Sequence, residues 1–258
     1  MNKPSHLGPR YAAQFRDAAI VEAYRHRPPY PPGTFAQLVG LLPGACRTVL
    51  DLGCGTGDLT VGLAQTADRI DAVDASEAML AEARRRLADH GDRVRIVLGP
   101  AETAPLSPPY GLVTAGESLH WMAWRTVFDR IREALHPGGR IAIVERLEHK
   151  SPWTGDLTAH VGAYSTNRAF RPYDLMALLA QARVFVPDRV IDVPAVGVRQ
   201  TVADYVESIH SRNGFSRERM GDGPASAFDA RVTGLLSPFA DPDGRLAFAV
   251  GARIWAGR

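Results

Sequence analysis

A run of alternating glycines is the feature of this sequence best suited to bind a ligand. Residues 49–57 read VLDLGCGTG, with glycines at 53, 55 and 57 after an apolar segment. Glycine permits positive φ angles and lets the backbone come close to a bound molecule. In an open α/β sheet, ligands bind at the carboxyl ends of the strands. The sequence therefore predicts a ligand site at this loop.

The acidic residues around the loop restrict the kind of ligand. The dinucleotide fingerprint G-x-G-x-x-G would need glycine where this chain has Asp58, and a carboxylate at a helix start would repel a pyrophosphate. Asp74 lies 21 residues after Gly53, where a carboxylate can accept hydrogen bonds from both ribose hydroxyls. Asp51 would favour a cationic group. These features indicate a nucleoside with a cationic tail and no phosphate, a description that S-adenosylmethionine (SAM) fits.

Alternating strand-like and helix-like segments would position these residues. Strands are expected at 48–52, 69–73, 94–98, 112–115 and 141–145, and helices at 32–42, 58–67, 76–90 and 125–135. Strands that alternate with helices indicate a parallel sheet with helices on both faces. Beyond residue 146 the pattern loosens. Helices are expected there at 174–183, 201–210 and 225–236, a polar loop at 212–224, and strands at 184–198 and 246–255.

Three separate segments resemble the class I SAM-dependent methyltransferases. They are residues 51–57 (DLGCGTG), residues 74–76 (DAS) with Met79, and residues 135–139 (LHPGG). The resemblance implies a Rossmann-like α/β fold, which is doubly wound around a mostly parallel seven-stranded sheet whose last strand is antiparallel. It also implies an inserted helical lid.

Two further segments narrow the resemblance. Residues 24–31 (YRHRPPYP) and 117–121 (ESLHW) are similar to the small-molecule methyltransferases that include trans-aconitate methyltransferase-like proteins. The resemblance implies SAM as cofactor, S-adenosylhomocysteine (SAH) as its product, and a small molecule as the methyl acceptor.

The resemblance also implies which residues bind the cofactor. The glycines would approach the methionine and ribose parts, Asp51 would lie near the amino group, and Asp74 would bind the ribose hydroxyls. Ala75 and Met79 would line the adenine. The implied cofactor residues are Asp51, Gly53, Cys54, Gly55, Gly57, Asp74, Ala75, Met79, Ala101, Glu102, Glu117, Ser118 and Leu119.

Methyl transfer from a sulfonium is an in-line displacement with a neutral leaving group, so positioning can supply most of the rate. A base is needed only for an un-ionised acceptor. His120, expected at the end of the fourth strand, is the candidate catalytic base, with packing near Trp121 as the alternative. Tyr30 is the second candidate catalytic residue, and the alternative there is an N-terminal arm packed on the sheet.

The acceptor is expected to contact the N-terminal segment and the region 150–224. Six basic residues against two acidic ones in the first 50 positions slightly favour a carboxylate-bearing acceptor over a solvated charged face. The alternative for each aromatic or basic side chain is packing. The candidate acceptor-binding residues are Tyr24, Arg27, Trp121, Trp153, Tyr164, Arg168 and His210.

Composition excludes several other classes. With 30 basic and 28 acidic residues among 258, the net charge of +2 does not favour nucleic-acid binding. No apolar run approaches the roughly 18 residues of a membrane span, and residues 1–6 lack a secretory signal. Cys46 and Cys54 lie on either side of a predicted strand, which favours free thiols and a cytoplasmic location. The eight histidines show no metal-binding spacing, so no metal is expected.

The sequence divides into four expected segments. They are an N-terminal cap at 1–46, a SAM-binding core at 47–149, a substrate lid with the sixth strand at 150–224, and the last helix and antiparallel strand at 225–258.

No signal of a membrane partner or of oligomeric state is present. Three functions remain open: a methyltransferase acting on O, N or C of a small molecule, a protein that uses or senses SAM without methyl transfer, and an NAD-dependent oxidoreductase. Asp58 counts against the last.

Overall fold

A single mixed sheet organises the chain. The computed structural model describes residues 3–258, in which the strands are β1 (Thr48–Leu52), β2 (Arg69–Asp74), β3 (Val94–Leu98), β4 (Tyr110–Gly116), β5 (Leu135–Glu148), β6 (Arg189–Thr201) and β7 (Arg245–Gly257). Their order is β3-β2-β1-β4-β5-β7-β6. Strands β1 to β5 pair in parallel, and β7 runs antiparallel to β5 and β6. This confirms the predicted sheet with its antiparallel last strand.

Helices cover both faces of the sheet. They are α1 (Pro9–Ala12), α2 (Ala18–Tyr24), α3 (Pro32–Gly40), α4 (Asp58–Leu63), α5 (Glu77–Leu87), α6 (Trp124–Ala134), α7 (Thr154–Val161), α8 (Leu175–Gln181), α9 (Val202–His210), α10 (Arg217–Met220) and α11 (Asp222–Leu236). Ser76 caps α5 by accepting a hydrogen bond from the backbone N–H of Met79, as predicted. Within residues 3–258, no helix has the length and apolar character needed to cross a bilayer.

The side chains of the central strands divide between two cores because successive residues of a strand point to opposite faces. Val49 packs with Leu63 on the face covered by α3 and α4. Leu50 packs with Phe128 on the face covered by α6 and α8. A third core joins α7, α9 and α11 to the first half of β7, around the fully buried Phe228. The predicted division placed α11 in one segment with the last strand. In the structure, α11 packs in the core of the insertion instead.

Two strands, β5 and β6, begin well away from the predicted residue, whereas the other strand starts agree within two residues. β5 starts at Leu135 because the run Pro137–Gly138–Gly139 joins the strand as an irregular segment, with a register shift against β4. β6 starts at Arg189 because Val184 and Phe185 instead bury their side chains on the face covered by α6. The predicted start of β6 was too early in the chain, because an apolar run that does not pair with a strand still has the sequence pattern of one.

Four helices lie where the sequence has no clear periodicity. α1 and α10 have four residues each, α2 has seven and α7 has eight. Such segments are too short to show the repeated apolar stripe of a longer helix. The region 212–224, predicted as a polar loop, therefore contains α10 and the start of α11.

Candidate active site

A cavity of about 710 Å³ lies at the carboxyl ends of β1, β2 and β4, where the strand order reverses direction. This is the position at which open α/β sheets bind ligands. Eleven of the predicted cofactor residues line it: Asp51, Gly53, Cys54, Gly55, Asp74, Ala75, Met79, Ala101, Glu102, Glu117 and Ser118. Gly57 and Leu119, also predicted, are not among the lining residues in the described part of the chain.

The glycine loop is held close to the neighbouring strands. The N–H groups of Gly53 and Cys54 donate to the Val73 carbonyl, at 2.8 and 3.0 Å. Gly53 has a φ of 66°, and a Cβ there would lie 2.5 Å from the Cβ of Ser118. Only glycine satisfies both the left-handed backbone and this close approach. The loop therefore leaves an open cradle in front of the β1 end.

Asp74 closes one side of this cradle. Its carboxylate accepts hydrogen bonds from the backbone N–H groups of Gly55, at 2.9 Å, and Ser76, at 2.8 Å. Burial raises the pKa of Asp74, although these N–H groups act in the opposite direction. An ionised carboxylate has more acceptor sites than these two bonds use. Its position and free acceptor capacity fit a pair of ribose hydroxyls.

Asp51 lies beneath the loop and is almost completely buried. Its hydrogen-bond donors within residues 3–258 are the hydroxyls of Thr60, at 2.6 Å, and Thr114, at 2.8 Å. Burial raises the pKa of Asp51 to about 6, more than the two hydroxyls lower it. A buried carboxylate without a cationic partner fits the ammonium group of a ligand. Together with Asp74 and the cradle, it matches the donors and acceptors of SAM.

Asp58, at the first turn of α4, has cationic neighbours. Arg86 lies 2.6 Å from its carboxylate and Arg146 lies 3.2 Å away. Burial alone would raise the pKa of Asp58, but the two arginines outweigh it and hold the pKa below its usual value. Asp58 is therefore ionised and paired with two arginines, and its side chain occupies the position that the dinucleotide fingerprint reserves for glycine.

The turn after β4 holds an unusual backbone conformation. Glu117 has a φ of 51°, a left-handed value that non-glycine residues adopt at a cost of about 1–3 kcal/mol. Its carboxylate lies 3.5 Å from Arg27 and 4.0 Å from Arg146. The strain directs a charged side chain into the cavity wall between these two arginines.

The N-terminal segment covers the cavity. Phe15 packs edge-on against Trp121, with ring centroids 5.4 Å apart, and its carbonyl accepts a hydrogen bond from the Ser76 hydroxyl at 2.7 Å. An N-terminal cap was predicted at 1–46, but Phe15 was not singled out, because α1 and α2 are too short to show a periodicity. The residues of this cover that line the cavity are Arg10, Ala12, Ala13, Phe15 and Arg16.

Of the predicted catalytic and acceptor residues, Tyr24, Arg27, Tyr30 and Trp121 line the cavity. The Arg27 guanidinium lies over the Tyr24 ring, 4.1 Å from its centroid, and that of Arg146 lies 4.3 Å from the Tyr30 centroid. Burial raises the pKa of Tyr30 well above its usual value. The Tyr30 hydroxyl therefore stays protonated at neutral pH and can donate a hydrogen bond into the cavity.

The structure does not bring His120 to the cavity. Its ring packs against Trp121 and Tyr173, with centroid separations of 4.7 and 6.2 Å. Burial, with a smaller contribution from Lys3 and Arg27, lowers the pKa of His120 to about 3. The imidazole is therefore neutral and weakly basic, in the packed position that the sequence analysis considered as the alternative.

The predicted acceptor residues of the insertion also lie away from the cavity. Trp153 packs on Tyr205 and Tyr164 packs on Phe228. His210 is buried and contacts Asp229 and the Phe215 carbonyl, each at 2.7 Å, and Arg168 donates to the Ala163 carbonyl at 3.0 Å. They are held there because the insertion has its own apolar core, which the sequence did not reveal.

A second cavity, of about 250 Å³, adjoins the first. The two share Arg27, Glu117 and Arg146. Sequence reasoning missed Arg146, although its place near the end of an apolar strand is a signal that would have found it. The complete lining consists of Arg27, Pro28, Glu117, Arg146, Glu148, Ser208 and Arg212. Across residues 3–258, no group of three or more His, Cys, Asp or Glu side chains is arranged to hold a metal ion.

Comparisons with known proteins agree with this site. The methyltransferase domain family matches residues 49–139. An uncharacterized methyltransferase of Mycobacterium tuberculosis is 34% identical over 147 residues, which span 56% of this chain and 58% of that protein. One from Synechocystis is 32% identical over 152 residues, spanning 56% of this chain and 68% of that protein. Trans-aconitate 2-methyltransferase of Delftia acidovorans is 38% identical over 116 residues, 42% of this chain and 41% of that enzyme.

A solved structure extends the likeness of the fold to most of the chain. A candidate type II methyltransferase from Anaeromyxobacter dehalogenans superposes with a TM-score of 0.62 and 23% identity, covering 90% of this chain and 97% of that one. The sheet order and the cavity at its switch point define an open α/β protein of the Rossmann-like class. The chain belongs to the class I SAM-dependent methyltransferases.

Proposed function

We propose that the protein transfers the methyl group of SAM to an oxygen, nitrogen or carbon atom of a small molecule. The observation that carries this proposal is the pairing of Asp51 and Asp74 at the ends of adjacent strands, in one cavity and on either side of an open glycine loop. A buried carboxylate for an ammonium and a second carboxylate for a ribose match SAM, and Asp58 stands where the dinucleotide fingerprint needs glycine.

Each lining residue has a binding or positioning task in this proposal. SAM, when bound, supplies an electrophilic methyl group attached to a sulfur that leaves as a neutral thioether. Asp51 holds the amino end and Asp74 the ribose, while Phe15 and Trp121 exclude water. Tyr30 donates a hydrogen bond to the acceptor. Rate enhancement then comes chiefly from positioning, and His120 supports the Trp121 ring instead of taking a proton.

The size and surroundings of the cavity support a small acceptor. The N-terminal segment covers the site, so an acceptor must fit beneath it with the cofactor. The relative from Delftia acidovorans is named for a small tricarboxylic acid, and a carboxylate-bearing acceptor agrees with the arginines at the cavity wall. The free thiols Cys46 and Cys54 support a place in the reducing cytoplasm.

A product assay tests the proposal. The protein would be incubated with SAM labelled in the methyl group and a panel of small carboxylic acids, amines and phenols, and labelled product and SAH would be separated by chromatography. Transfer of label to at least one small molecule is expected. Tight binding of SAH with no transfer to any member would favour the alternative of a SAM sensor or other SAM chemistry.

A further inference from the structure

The second cavity is lined by arginines from three distant segments. Arg27 follows α2, Arg146 lies in β5, and Arg212 follows α9. Arg27 is fixed from behind, since its Nε donates to the Ser211 hydroxyl at 2.8 Å and its Nη2 donates to the Ser211 carbonyl at 3.1 Å. The fold thus assembles a cationic recess directly beside the larger cavity.

Two glutamates partly neutralise this recess. Glu117 lies 3.5 Å from Arg27, and Glu148 lies 2.9 Å from Arg212. With Asp58, which pairs with Arg146, and with Arg86, the second partner of Asp58, four arginines face three carboxylates, an excess of one positive charge. Such a recess favours a group with a single negative charge over one with two.

Arg146 supplies an unused donor. Its side chain is only 8% exposed, and one terminal nitrogen, Nη2, bonds to Asp58 at 3.2 Å. Its Nε is buried and has no hydrogen-bond partner within residues 3–258. Buried polar atoms almost always have a partner, so this nitrogen leaves donor capacity for a ligand or a water molecule.

We propose that the second cavity binds a carboxylate of the methyl acceptor, held by Arg146 and Arg212. Guanidinium groups form paired hydrogen bonds with carboxylates, and the single excess charge matches one carboxylate group. This proposal rests on the proposed function and assigns a recognition group to its acceptor. The bound carboxylate is an anchor, and the accepting atom is a different one that reaches the larger cavity.

Butyrate is a probe of this anchor, with uncharged butyramide as its match in shape. Each would be titrated calorimetrically into the SAH-saturated protein at constant ionic strength, and inorganic phosphate would be a third ligand. Butyrate should bind at least about tenfold more tightly than butyramide, because charge-assisted hydrogen bonds are roughly twice as strong as neutral ones. Butyrate should also bind more tightly than phosphate.

Two substitutions should move butyrate affinity in opposite directions. Arg212→Gln removes a charged donor at a side chain that is 45% exposed, and should weaken butyrate binding about tenfold. Glu148→Gln removes the competing anion and keeps an acceptor for the Tyr205 hydroxyl, so it should tighten butyrate binding several-fold. General damage to the fold would not tighten binding. Arg199→Gln, which breaks an exposed ion pair with Asp241, is the matched control and should leave butyrate affinity unchanged.

Several outcomes would overturn the anchor. They are equal binding of butyrate and butyramide, tighter binding of phosphate, no butyrate binding at all, or weakened binding in Glu148→Gln. SAH titration separates these results from failure of the proposed function, because the proposed SAH ligands Asp51 and Asp74 line only the larger cavity, whereas Glu148 and Arg212 line only the second. Loss of SAH binding in the wild type would contradict the function, whereas SAH binding without butyrate binding would contradict only the anchor.

Discussion

The two halves of the site are built from different parts of the chain. At the cofactor half, backbone N–H groups and strand-end carboxylates from the contiguous run of β1 and β2 form the cradle. At the proposed acceptor half, Arg27, Arg146 and Arg212 meet from positions far apart in sequence. A nucleoside common to many enzymes can be held by a short local motif, while selection of one acceptor depends on side chains that tertiary packing brings together.

The insertion differs from both halves of the site, because its aromatic residues stabilise a separate core. Trp153→Ala should lower the free energy of unfolding by about 3–5 kcal/mol, because the side chain is only 2% exposed and packs on Tyr205 and Phe239. SAH affinity should stay within twofold. Denaturant unfolding and calorimetry would measure the two effects.

A surface residue of the same insertion is the control for this comparison. Arg168→Ala removes an exposed side chain whose hydrogen bond within residues 3–258 is to the backbone carbonyl of Ala163, and should change stability by no more than about 0.5 kcal/mol. Unchanged stability in Trp153→Ala together with weakened SAH binding would mean that the insertion core belongs to the site.

A single methyl group added to the glycine loop should weaken SAH binding by nearly as large a free energy as Trp153→Ala takes from folding stability. Gly53→Ala places a Cβ 2.5 Å from that of Ser118 and strains a left-handed backbone. Overpacking of about 1–3 kcal/mol and a left-handed penalty of about 1–2 kcal/mol predict SAH binding weaker by on the order of 100-fold. Calorimetric titration would measure the loss.

Two further variants test whether the clash of the added Cβ with Ser118 causes the loss of affinity. Gly44→Ala adds a methyl group with no atom within 4 Å and should leave SAH affinity unchanged. Adding Ser118→Gly to Gly53→Ala removes the clashing Cβ and should recover part of the affinity. An unaltered SAH affinity in Gly53→Ala would show that the cradle does not approach the ligand.

Proton binding at Asp51 should give a smaller effect at the cofactor half. Because burial raises its pKa to about 6, Asp51 is largely protonated at pH 5 and ionised at pH 7. Only the ionised form attracts the ammonium of SAH, so affinity should rise about tenfold from pH 5 to pH 7, the change expected for one proton. In Asp51→Asn the affinity should be lower at pH 7 and nearly constant over this range. A wild-type affinity independent of pH would separate Asp51 from the amino group.

The sequence brought most of the predicted cofactor residues to one cavity for a physical reason. β3 spans the predicted 94–98, and the loop after β1 lies at the sheet edge because apolar strand, glycine and helix signals are local. A cap was predicted at 1–46, but the role of Phe15 in it was missed, because the helices on either side of Phe15 are too short to show a periodicity. His120 was expected at the site from its place after β4, but the short 3₁₀ turn Leu119–Trp121 packs its ring on Tyr173. Side-chain direction in a turn depends on tertiary neighbours.

The central claim is that Asp74 binds the ribose of a nucleoside that carries no phosphate. Calorimetric titration of the wild type, Asp74→Ala and the exposed control Asp92→Ala with SAH and with NAD⁺ would test it. We expect micromolar SAH binding in the wild type and in Asp92→Ala, at least about tenfold weaker binding in Asp74→Ala, and no binding of NAD⁺. Binding of NAD⁺, or an SAH affinity that Asp74→Ala leaves unchanged, would contradict the account.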